Sequence, residues 1–248
     1  MKKIFSRPKS LKNVPFRFCP GCGHSIAHRL IAEVIDKLEI KEITIGIAPV
    51  GCAVFAYDYF DIDILEIPHG RAPAAATGMK RVYPDKVIFT YQGDGDLAAI
   101  GTAEIVHAAN RGENITVFFI NNANYGMTGG QMAPTTLKGQ KTTTTPLGRD
   151  PKTAGYPMHV SELLAILEGT SFIARGALDS YKNIVITKTY IEKAFKYQLE
   201  GKGFSFVEML SPCPTDWGMS PQEALKWLRE NMMNEFKLGV IKDKWRNV

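Results

Sequence analysis

Gly93-Asp94-Gly95 stands between a β-branched run and a helical pattern, and this arrangement constrains the fold more than any other feature of the chain. Residues 86–91 have the composition of a buried strand, and residues 98–109 repeat apolar side chains at helical spacing. The glycines therefore lie at the carboxyl end of a strand, where the backbone can approach phosphate oxygens beside a helix N-terminus. A tight turn would explain an isolated Gly-Asp-Gly, but it does not explain this strand–helix context.

Two asparagines follow at the end of the next predicted strand, over residues 115–120. Because the carboxyl ends of parallel strands meet at one edge of a sheet, we expect Asp94 and Asn122 to face one another. A carboxylate, an amide oxygen and a nearby backbone carbonyl, together with diphosphate oxygens, form the octahedral oxygen shell that Mg²⁺ prefers. The sequence therefore predicts a site for a diphosphate and a divalent cation.

Each of the four cysteines lies beside glycine or proline: Cys19 and Cys22 in Cys-Pro-Gly-Cys-Gly, Cys52 in Val-Gly-Cys, and Cys213 in Pro-Cys-Pro. Four thiolates can hold one structural zinc or one 4Fe-4S cluster. Two disulfides are a third interpretation, which no export signal supports. Unmodified buried thiols are the usual state of isolated cysteines. Four cysteines at turn positions favour a metal centre and leave iron–sulfur and zinc both open.

Gly-Asp-Gly followed by paired asparagines closely resembles the diphosphate motif of thiamine-diphosphate enzymes. The segment Tyr125-Gly-Met-Thr-Gly-Gly-Gln131 is similar to its continuation in 2-oxoacid:ferredoxin oxidoreductases. All four cysteine positions match those that hold a 4Fe-4S cluster in the β subunits of that family. The resemblance implies a β subunit that binds thiamine diphosphate, Mg²⁺ and a 4Fe-4S cluster. It also implies coenzyme A-dependent oxidative decarboxylation of a 2-oxoacid, with single electrons passing to ferredoxin.

The resemblance also implies the residues of the site. Magnesium would be held by Asp94, Asn122 and the carbonyl of Asn124. The cluster would be held by Cys19, Cys22, Cys52 and Cys213. The remaining cofactor contacts would be Val50, Gly51, Cys52 and Ala53 beside the thiazolium ring, and Gly93, Gly95, Asp96, Gly126 and Met127 along the diphosphate.

Three histidines need separate interpretation. His69, in Pro-His-Gly-Arg, is the candidate to contact the diphosphate or the substrate carboxylate, with Gly70 beside it at the cofactor. A loop histidine satisfied by backbone is the alternative, and Arg71 is expected in a structural ion pair. His24 and His28 are one helical turn apart and could be metal ligands. Because four cysteines complete a site without them, we expect these two on the helix surface or at a subunit contact.

The alternation of strands and helices predicts an α/β fold with a doubly wound parallel sheet, which is the diphosphate-binding fold of thiamine enzymes. Residues 1–18 form a basic arm, and residues 19–248 form a single thiamine-diphosphate-binding domain. Within it we expect a cover loop at 123–157 and a C-terminal helix at 221–236, docked on the body or on a neighbouring subunit. Further strands are predicted at 43–47, 171–174 and 205–210, and helices at 25–38, 160–168 and 187–199.

Composition agrees with this assignment. The chain has 248 residues, 45% of them hydrophobic, and can bury one sizeable core. Its formal charge of +5 is mild, and no basic cluster interleaved with aromatic residues indicates nucleic-acid binding. No apolar run reaches the ~18 residues of a membrane helix. The basic start lacks an apolar signal segment, so we expect a cytoplasmic protein.

Thiamine enzymes need a glutamate at the aminopyrimidine ring, and in the family it lies on another subunit. Neither Glu66 nor Glu104 is assigned this role, because the predicted strand around Glu66 and the predicted helix around Glu104 account for these residues. The resemblance therefore implies an α-type partner that carries the pyrimidine-binding domain, with further γ and δ subunits in some assemblies, and an isolated chain that is inactive. The alternatives are a non-redox thiamine-diphosphate decarboxylase or synthase subunit with structural zinc, and a non-enzymatic metal-stabilised binding subunit. Branched-chain 2-oxoacids and 2-oxoglutarate both stay open as substrates.

Overall fold

A computed structural model describes residues 6–246, which form seven strands, ten α-helices and two short 3-10 helices, Lys41–Ile43 and Cys52–Phe55. The strands are β1 Thr44–Ala48, β2 Asp63–Glu66, β3 Val87–Gly93, β4 Thr116–Asn121, β5 Thr170–Ala177, β6 Phe204–Leu210 and β7 Gly239–Asp243. The helices are α1 His24–Lys37, α2 Ala56–Tyr59, α3 Ala72–Val82, α4 Thr102–Asn110, α5 Pro151–Ala154, α6 Val160–Ala165, α7 Tyr181–Leu199, α8 Pro214–Trp217, α9 Pro221–Trp227 and α10 Met233–Glu235. Two π-helical turns, Gly95–Ile100 and Leu228–Met232, precede α4 and α10.

The strands form one sheet in the order β2-β1-β3-β4-β6-β5-β7, parallel except for β7, which runs antiparallel to β5. Successive side chains of the central strands point to opposite faces. Phe89 and Phe118 pack in the cluster that contains α1 and α7, whereas Ile88 and Val117 pack in the cluster that contains α3, α4 and α6. A parallel sheet covered by helices on both faces is the predicted α/β fold, which is confirmed.

The path of the chain creates a crevice at one edge of the sheet. After β1 the chain moves outward to β2 and then returns to the other side of β1 as β3. Doubly wound sheets bind ligands at such a reversal, outside the carboxyl ends of the strands. The segments that leave β1, β2, β3 and β4 all start at this edge. They carry Val50, His69, Asp94 and Asn122 toward one place.

Most predicted elements agree with the structure, and the differences lie at the sheet edges. The predicted strands at 43–47, 86–91, 115–120 and 205–210 and the helix at 25–38 match to within two residues at each end. Edge strand β7 is absent from the sequence prediction, and β2 is predicted only as the strand context of Glu66, because the side chains of both strands are partly exposed and follow no clear alternation. Strand β5 runs beyond the predicted 171–174, since the buried charge of Arg175 interrupts its apolar pattern.

Several helices begin or end at residues other than the predicted ones. Helix α7 begins at Tyr181 rather than at 187, because the Ser180 hydroxyl accepts a hydrogen bond from the Asn183 N–H and caps the helix there. Helix α6 ends at Ala165, short of the predicted 168. The predicted helix at 98–109 is a π-helical turn followed by α4.

Both ends of the described chain pack against the sheet. Leu11 in the arm is buried, the Lys12 N–H donates to the Tyr59 carbonyl at 2.8 Å, and residues 1–5 of the predicted arm lie outside the described residues. In the predicted C-terminal helix, Leu228 and Met232 are buried in a cluster with Leu137, which confirms docking on the body. The division into an arm and one domain stays a prediction. No helix within residues 6–246 is long and apolar enough to cross a membrane.

Candidate functional site

A cavity of about 120 Å³ opens at the carboxyl edge of the sheet. It is lined by His24, Val50, Gly51, Cys52, Ala53, His69, Gly93, Asp94, Gly95, Asp96, Ile120, Asn122, Asn124, Tyr125, Gly126, Met127 and Thr128. The structure thus brings together every residue that the sequence analysis placed at the cofactor except Gly70, whose N–H donates to Asp96 at 2.7 Å. His24, Ile120, Tyr125 and Thr128 are lining residues that the sequence analysis did not assign to the cofactor.

Gly95 shows why the motif needs glycine after the aspartate. A side chain at this position would begin 2.3 Å from the Tyr125 ring, so only glycine lets the tyrosine pack against the turn. Gly93, Asp94 and Gly95 all line the cavity. Bare backbone beside the N-terminus of a helical turn is the surface that phosphate groups approach most closely.

Asp94 is buried, with 2% of its surface exposed, and its carboxylate accepts three hydrogen bonds. Thr135 Oγ1 donates at 2.7 Å, the Gly95 N–H at 2.9 Å and the Asn124 N–H at 3.2 Å. Burial nevertheless raises the pKa of Asp94 to about 7, because these donors offset only part of the lost hydration. A bound cation would restore the charged form.

In one of the two orientations of its amide, the side-chain oxygen of Asn122 faces other oxygens. It lies 2.9 Å from the Asn124 carbonyl, 3.1 and 3.3 Å from the two Asp94 carboxylate oxygens and 3.2 Å from Asn124 Oδ1. Without a cation, turning the amide would let its nitrogen donate to the same atoms. Ligand oxygens about 2.1 Å from Mg²⁺ stand about 3.0 Å apart along the edges of an octahedron. The observed separations match this spacing, so the donor set fits a hard divalent cation.

The loops that carry Cys22 and Cys213 are packed directly against one another. The Gly23 N–H donates to the Pro212 carbonyl at 3.4 Å, and a side chain at Gly23 would begin 2.3 Å from Ser211 Oγ. The glycine after Cys22 is therefore required for this contact. Cys52 lines the cavity, and its sulfur lies 3.3 Å from where a side chain at Gly126 would start.

The four thiols share one electrostatic environment. Burial, and then the proximity of Cys52 and Cys19, raises the pKa of Cys22 to about 12. Burial and the proximity of Cys19 likewise raise the pKa of Cys52 to about 11. Cys213 donates to Asp216 Oδ2 at 3.2 Å, and burial raises its pKa as well. Cys22, Cys52 and Cys213 are therefore protonated at neutral pH, and a metal must displace their protons in order to bind.

Between residues 6 and 246, no three His, Cys, Asp or Glu side chains are grouped as the ligands of one metal ion are. In a zinc site built from four cysteines all the sulfurs contact the same ion, whereas each cysteine of a 4Fe-4S cluster binds a different iron. The Asp94 site contains only one carboxylate, since its other donors are amide and carbonyl oxygens.

The prediction that His24 and His28 lie on the surface or at a subunit contact is wrong. Both are buried, 2% and 0% exposed, among the rings of Phe18, Phe60 and Tyr91. Burial lowers the pKa of His24 to about 3 and that of His28 to about 4, so both rings are neutral. They fill the core as aromatic side chains, because the arm covers a helix face that would otherwise be exposed.

Arg71 and Glu104 form the structural ion pair that the sequence analysis expected for Arg71. Glu104 thereby has a role outside the cavity, and Glu66 is exposed at the end of β2.

Arg149 organises the predicted cover loop and was missed by sequence reasoning. Its buried guanidinium donates to six backbone carbonyls: those of Ala133, Pro134, Thr136, Ala154, Gly155 and Tyr156. Two of these carbonyls, those of Pro134 and Thr136, belong to the neighbours of Thr135, which donates a hydrogen bond to Asp94. No local pattern identifies either residue, because both act across loop positions far from the motif in sequence.

Comparisons with known proteins agree with this geometry. Residues 50–209 match the family described as "Thiamine pyrophosphate enzyme, C-terminal TPP binding domain". Ketoisovalerate oxidoreductase subunit VorA of Methanothermobacter thermautotrophicus is 49% identical over 253 residues, covering 98% of this chain and 53% of that protein. This chain therefore spans about half the length of that relative. 2-oxoglutarate synthase subunit KorB of Methanocaldococcus jannaschii is 37% identical over 227 residues, covering 89% of this chain and 80% of that protein.

A solved structure shows the same architecture. It is 2-oxoglutarate:ferredoxin oxidoreductase from Magnetococcus marinus with 2-oxoglutarate, coenzyme A and succinyl-CoA bound. The superposition has a TM-score of 0.77 at 25% identity and covers 98% of this chain and 86% of that chain.

Proposed function

Because this chain belongs to the thiamine-diphosphate-binding subunits of the 2-oxoacid:ferredoxin oxidoreductases, we propose that it binds thiamine diphosphate, Mg²⁺ and a 4Fe-4S cluster. Together with a partner subunit, it carries out the coenzyme A-dependent oxidative decarboxylation of a 2-oxoacid and passes electrons to ferredoxin. The observation that carries the proposal is the convergence of the Asp94 carboxylate, the Asn122 side-chain amide and the Asn124 carbonyl at a cavity that Cys52 also lines.

Separate groups of residues in the site would hold Mg²⁺ and the two ends of thiamine diphosphate. Asp94, Asn122 and the Asn124 carbonyl would hold Mg²⁺, and the cavity-lining backbone of Gly93, Gly95 and Gly126 would receive the diphosphate. The thiazolium end lies toward residues 50–53. Bound thiamine diphosphate supplies the carbon nucleophile and the electron sink for decarboxylation, while the chain supplies placement and exclusion of water.

Cys52 connects the two cofactors. Its side chain lines the cavity and its thiol interacts electrostatically with that of Cys19. Cys19, Cys22, Cys52 and Cys213 would hold the cluster next to the cavity, and the bound cluster would supply one-electron transfer there.

A branched-chain 2-oxoacid is the substrate that the cavity mouth favours. Val50 and Met127 stand there, 41% and 44% exposed, and present apolar surface rather than a cation. VorA, named for ketoisovalerate, is 49% identical, against 37% for the KorB relative. In the assembled enzyme, we expect kcat/KM for ketoisovalerate to exceed that for 2-oxoglutarate at least about tenfold, since a second carboxylate would be desolvated without a partner. Equal values would overturn this assignment.

The cavity also indicates a partner. None of the described residues that line it is a glutamate, and Glu104 is engaged by Arg71. An α-type subunit with the pyrimidine-binding domain therefore supplies the glutamate at the aminopyrimidine ring. We expect thiamine diphosphate to bind the isolated chain weakly and turnover to require the partner. Full turnover by this polypeptide alone would contradict the proposal.

Anaerobic purification tests the whole assignment. We expect a brown protein with about four irons and four sulfides per chain, an EPR signal after dithionite reduction, and Mg²⁺-dependent binding of thiamine diphosphate by calorimetry. A colourless protein with one zinc would leave only a non-redox thiamine subunit. A brown protein without affinity for thiamine diphosphate at any Mg²⁺ concentration would overturn the thiamine assignment.

A further inference from the structure

His69 is held at the cavity by a buried carboxylate. Its Nδ1 atom hydrogen bonds to Asp96 Oδ1, and the Asp96 side chain is 1% exposed, whereas that of His69 is 29% exposed. The imidazole therefore meets the carboxylate on its buried side and the cavity on the other. Its Nε2 atom has no hydrogen-bond partner among the described residues.

Asp96 is itself fixed by two further donors. The Gly70 N–H donates to Oδ1 at 2.7 Å, and Gln92 Nε2 donates to Oδ2 at 2.5 Å. Thr90 Oγ1 in turn donates to Gln92 Oε1 at 2.9 Å, which sets the orientation of the amide. Because both partners apart from His69 are donors, the carboxylate is an acceptor on both oxygens. The hydrogen on the His69 side therefore belongs to Nδ1, and the lone pair of neutral His69 lies on Nε2.

The backbone is shaped to bring these two side chains together. The turn Gly95–Ile100 is π-helical, with the Gly101 N–H donating to the Asp96 carbonyl at 2.8 Å, and such turns concentrate at functional sites. Gly70 adopts φ +77°, and a side chain there would begin 2.8 Å from the Gly101 nitrogen. The His69 loop therefore docks backbone to backbone on the turn that carries Asp96. Only glycine permits this approach.

We propose that His69 and Asp96 form a proton-transfer pair in which Asp96 fixes the tautomer and His69 Nε2 exchanges a proton with the oxygen on the 2-carbon of the substrate. This inference rests on the proposed function. Nε2 of neutral His69 first takes up one proton from solvent. When the carbonyl is attacked, the Nε2–H bond of the resulting imidazolium breaks and an O–H bond forms on the substrate. When the carbonyl re-forms in the product, that O–H bond breaks and the proton returns to Nε2, so no proton is consumed. The Asp96 carboxylate offsets the imidazolium charge, which makes Asp96 a positioning residue.

The tautomer can be read without any cofactor. In the full chain labelled with ¹⁵N-histidine, His69→Gln identifies the His69 signals among the five histidines. We expect the unsubstituted protein to show the Nδ1–H tautomer, and Asp96→Asn to shift the signals toward a mixture. An Nε2–H tautomer in the unsubstituted protein, or no change in Asp96→Asn, would overturn the pair whatever the chain binds.

Turnover of the assembled enzyme tests the role of the proton. A positioned acid–base group contributes about a hundredfold or more, so His69→Gln should lower kcat by that factor and Asp96→Asn by less. Each isolated variant should bind thiamine diphosphate with an affinity within about threefold of that of the unsubstituted chain. The reason is that the hydrogen bond between His69 and Asp96, which both substitutions change, is not made to the diphosphate. Arg71→Gln, which removes an ion pair outside the cavity, is the matched control and should leave kcat unchanged.

The two proposals fail in different ways. If His69→Gln loses thiamine diphosphate as completely as a variant of Asp94 does, His69 is a cofactor ligand and the proton-transfer role is wrong. If kcat is unchanged, that role is also wrong. If the unsubstituted chain binds no thiamine diphosphate, the proposed function fails, and the NMR result still decides whether Asp96 sets the tautomer of His69.

Discussion

The oxygen site and the cysteine site lie side by side but are built in different ways. Asp94 and Asn122 follow directly from β3 and β4, which are neighbouring strands with Gly93 opposite Ile120 in register. Hydrogen bonding within the sheet therefore sets their separation. Cys19, Cys22 and Cys213 lie on loops, held by contacts between glycine and proline backbone. The sheet preorganises the first site, whereas the second depends on how loops pack.

The two sites also differ in how far their ligand side chains are ionised before a metal binds. The pKa of Asp94 is about 7, so a substantial fraction of the protein carries the carboxylate at neutral pH. Burial holds the pKa of Cys22 at about 12 and that of Cys52 at about 11, so these thiols lose their protons only to a metal. The oxygen site is thus partly ionised at neutral pH without a cation, whereas a metal at the cysteine site would have to displace protons.

Asp94→Ala tests most directly whether the oxygen site and the cysteine site are independent. It removes the only carboxylate of the oxygen site, which costs about 4 kcal/mol or roughly a thousandfold in Mg²⁺–thiamine diphosphate affinity. Iron content should not change, because the hydrogen bonds of this side chain are to Thr135, Gly95 and Asn124 and none is to a cysteine. Calorimetry and iron analysis on the same preparation measure both, with the exposed Asp85→Ala as control. Parallel loss of cofactor and iron would mean that the two sites form one unit.

Cys52→Ser alters the cysteine site and leaves the oxygen site intact. Serine keeps the size of the side chain but is a poor ligand for iron, so iron should fall from about four per chain to below about one. Affinity for thiamine diphosphate should stay within about threefold, since the oxygen ligands are untouched. The measurements are iron analysis, the EPR spectrum and calorimetry under anaerobic conditions. A variant that retained the full cluster would remove Cys52 from the ligand set.

The pH dependence of metal binding separates the two sites. Folding raises the pKa of Asp94 above its unfolded value, so without metal the native state holds a proton that the unfolded chain releases. This contribution to stability is present below pH ~4 and is lost as the pH rises toward 7. Mg²⁺ must displace that proton, so its affinity should rise about tenfold per pH unit below 7 and level off above it. Zinc binding to the cluster-free cysteines should keep rising above pH 7.

Calorimetry in buffers of different ionisation enthalpy measures the proton that Mg²⁺ releases. Release of one proton at pH 6 and almost none at pH 8.5 is the expected pattern, calculated from a pKa of about 7 for Asp94. An Mg²⁺ affinity that is flat from pH 5 to 8 would show that Asp94 is charged in the free protein.

Arg149→Lys tests how far the oxygen site depends on its loop. Lysine keeps the charge but has three donors for the six carbonyls that Arg149 binds, so we expect a loss of about 2 kcal/mol in the free energy of unfolding. Mg²⁺ affinity should fall about threefold, because Thr135 would hold Asp94 less firmly. Urea denaturation and calorimetry measure the two effects. Arg111→Lys, in an exposed ion pair, is the control and should change neither.

The same contrast explains what the sequence could predict. Motifs at strand ends, such as Asp94 and Asn122, are predictable because strand composition and the parallel topology together determine where they meet. Thr135, Asp216 and Arg149 are not, because their contacts depend on the path of loops that carry no periodic signal. His24 and His28 show a second limit. A polar pattern on a helix indicates exposure only when nothing covers it, and the arm that covers this helix has no pattern of its own.

His28→Phe should have the smallest effect and tests whether α1 needs a polar side chain behind the cysteine loop. The ring stacks on Phe60 at 4.9 Å, and its Nε2 atom is buried without a partner. Its Nδ1 atom meets only the His24 carbonyl, at 2.7 Å, within the helix. Phenylalanine removes one unsatisfied nitrogen and one hydrogen bond, so the free energy of unfolding should change by less than about 1 kcal/mol. Urea denaturation measures this change, and iron content should stay constant. A loss of the cluster in a stable variant would show that the buried histidine, and not the loop contacts alone, positions Cys22.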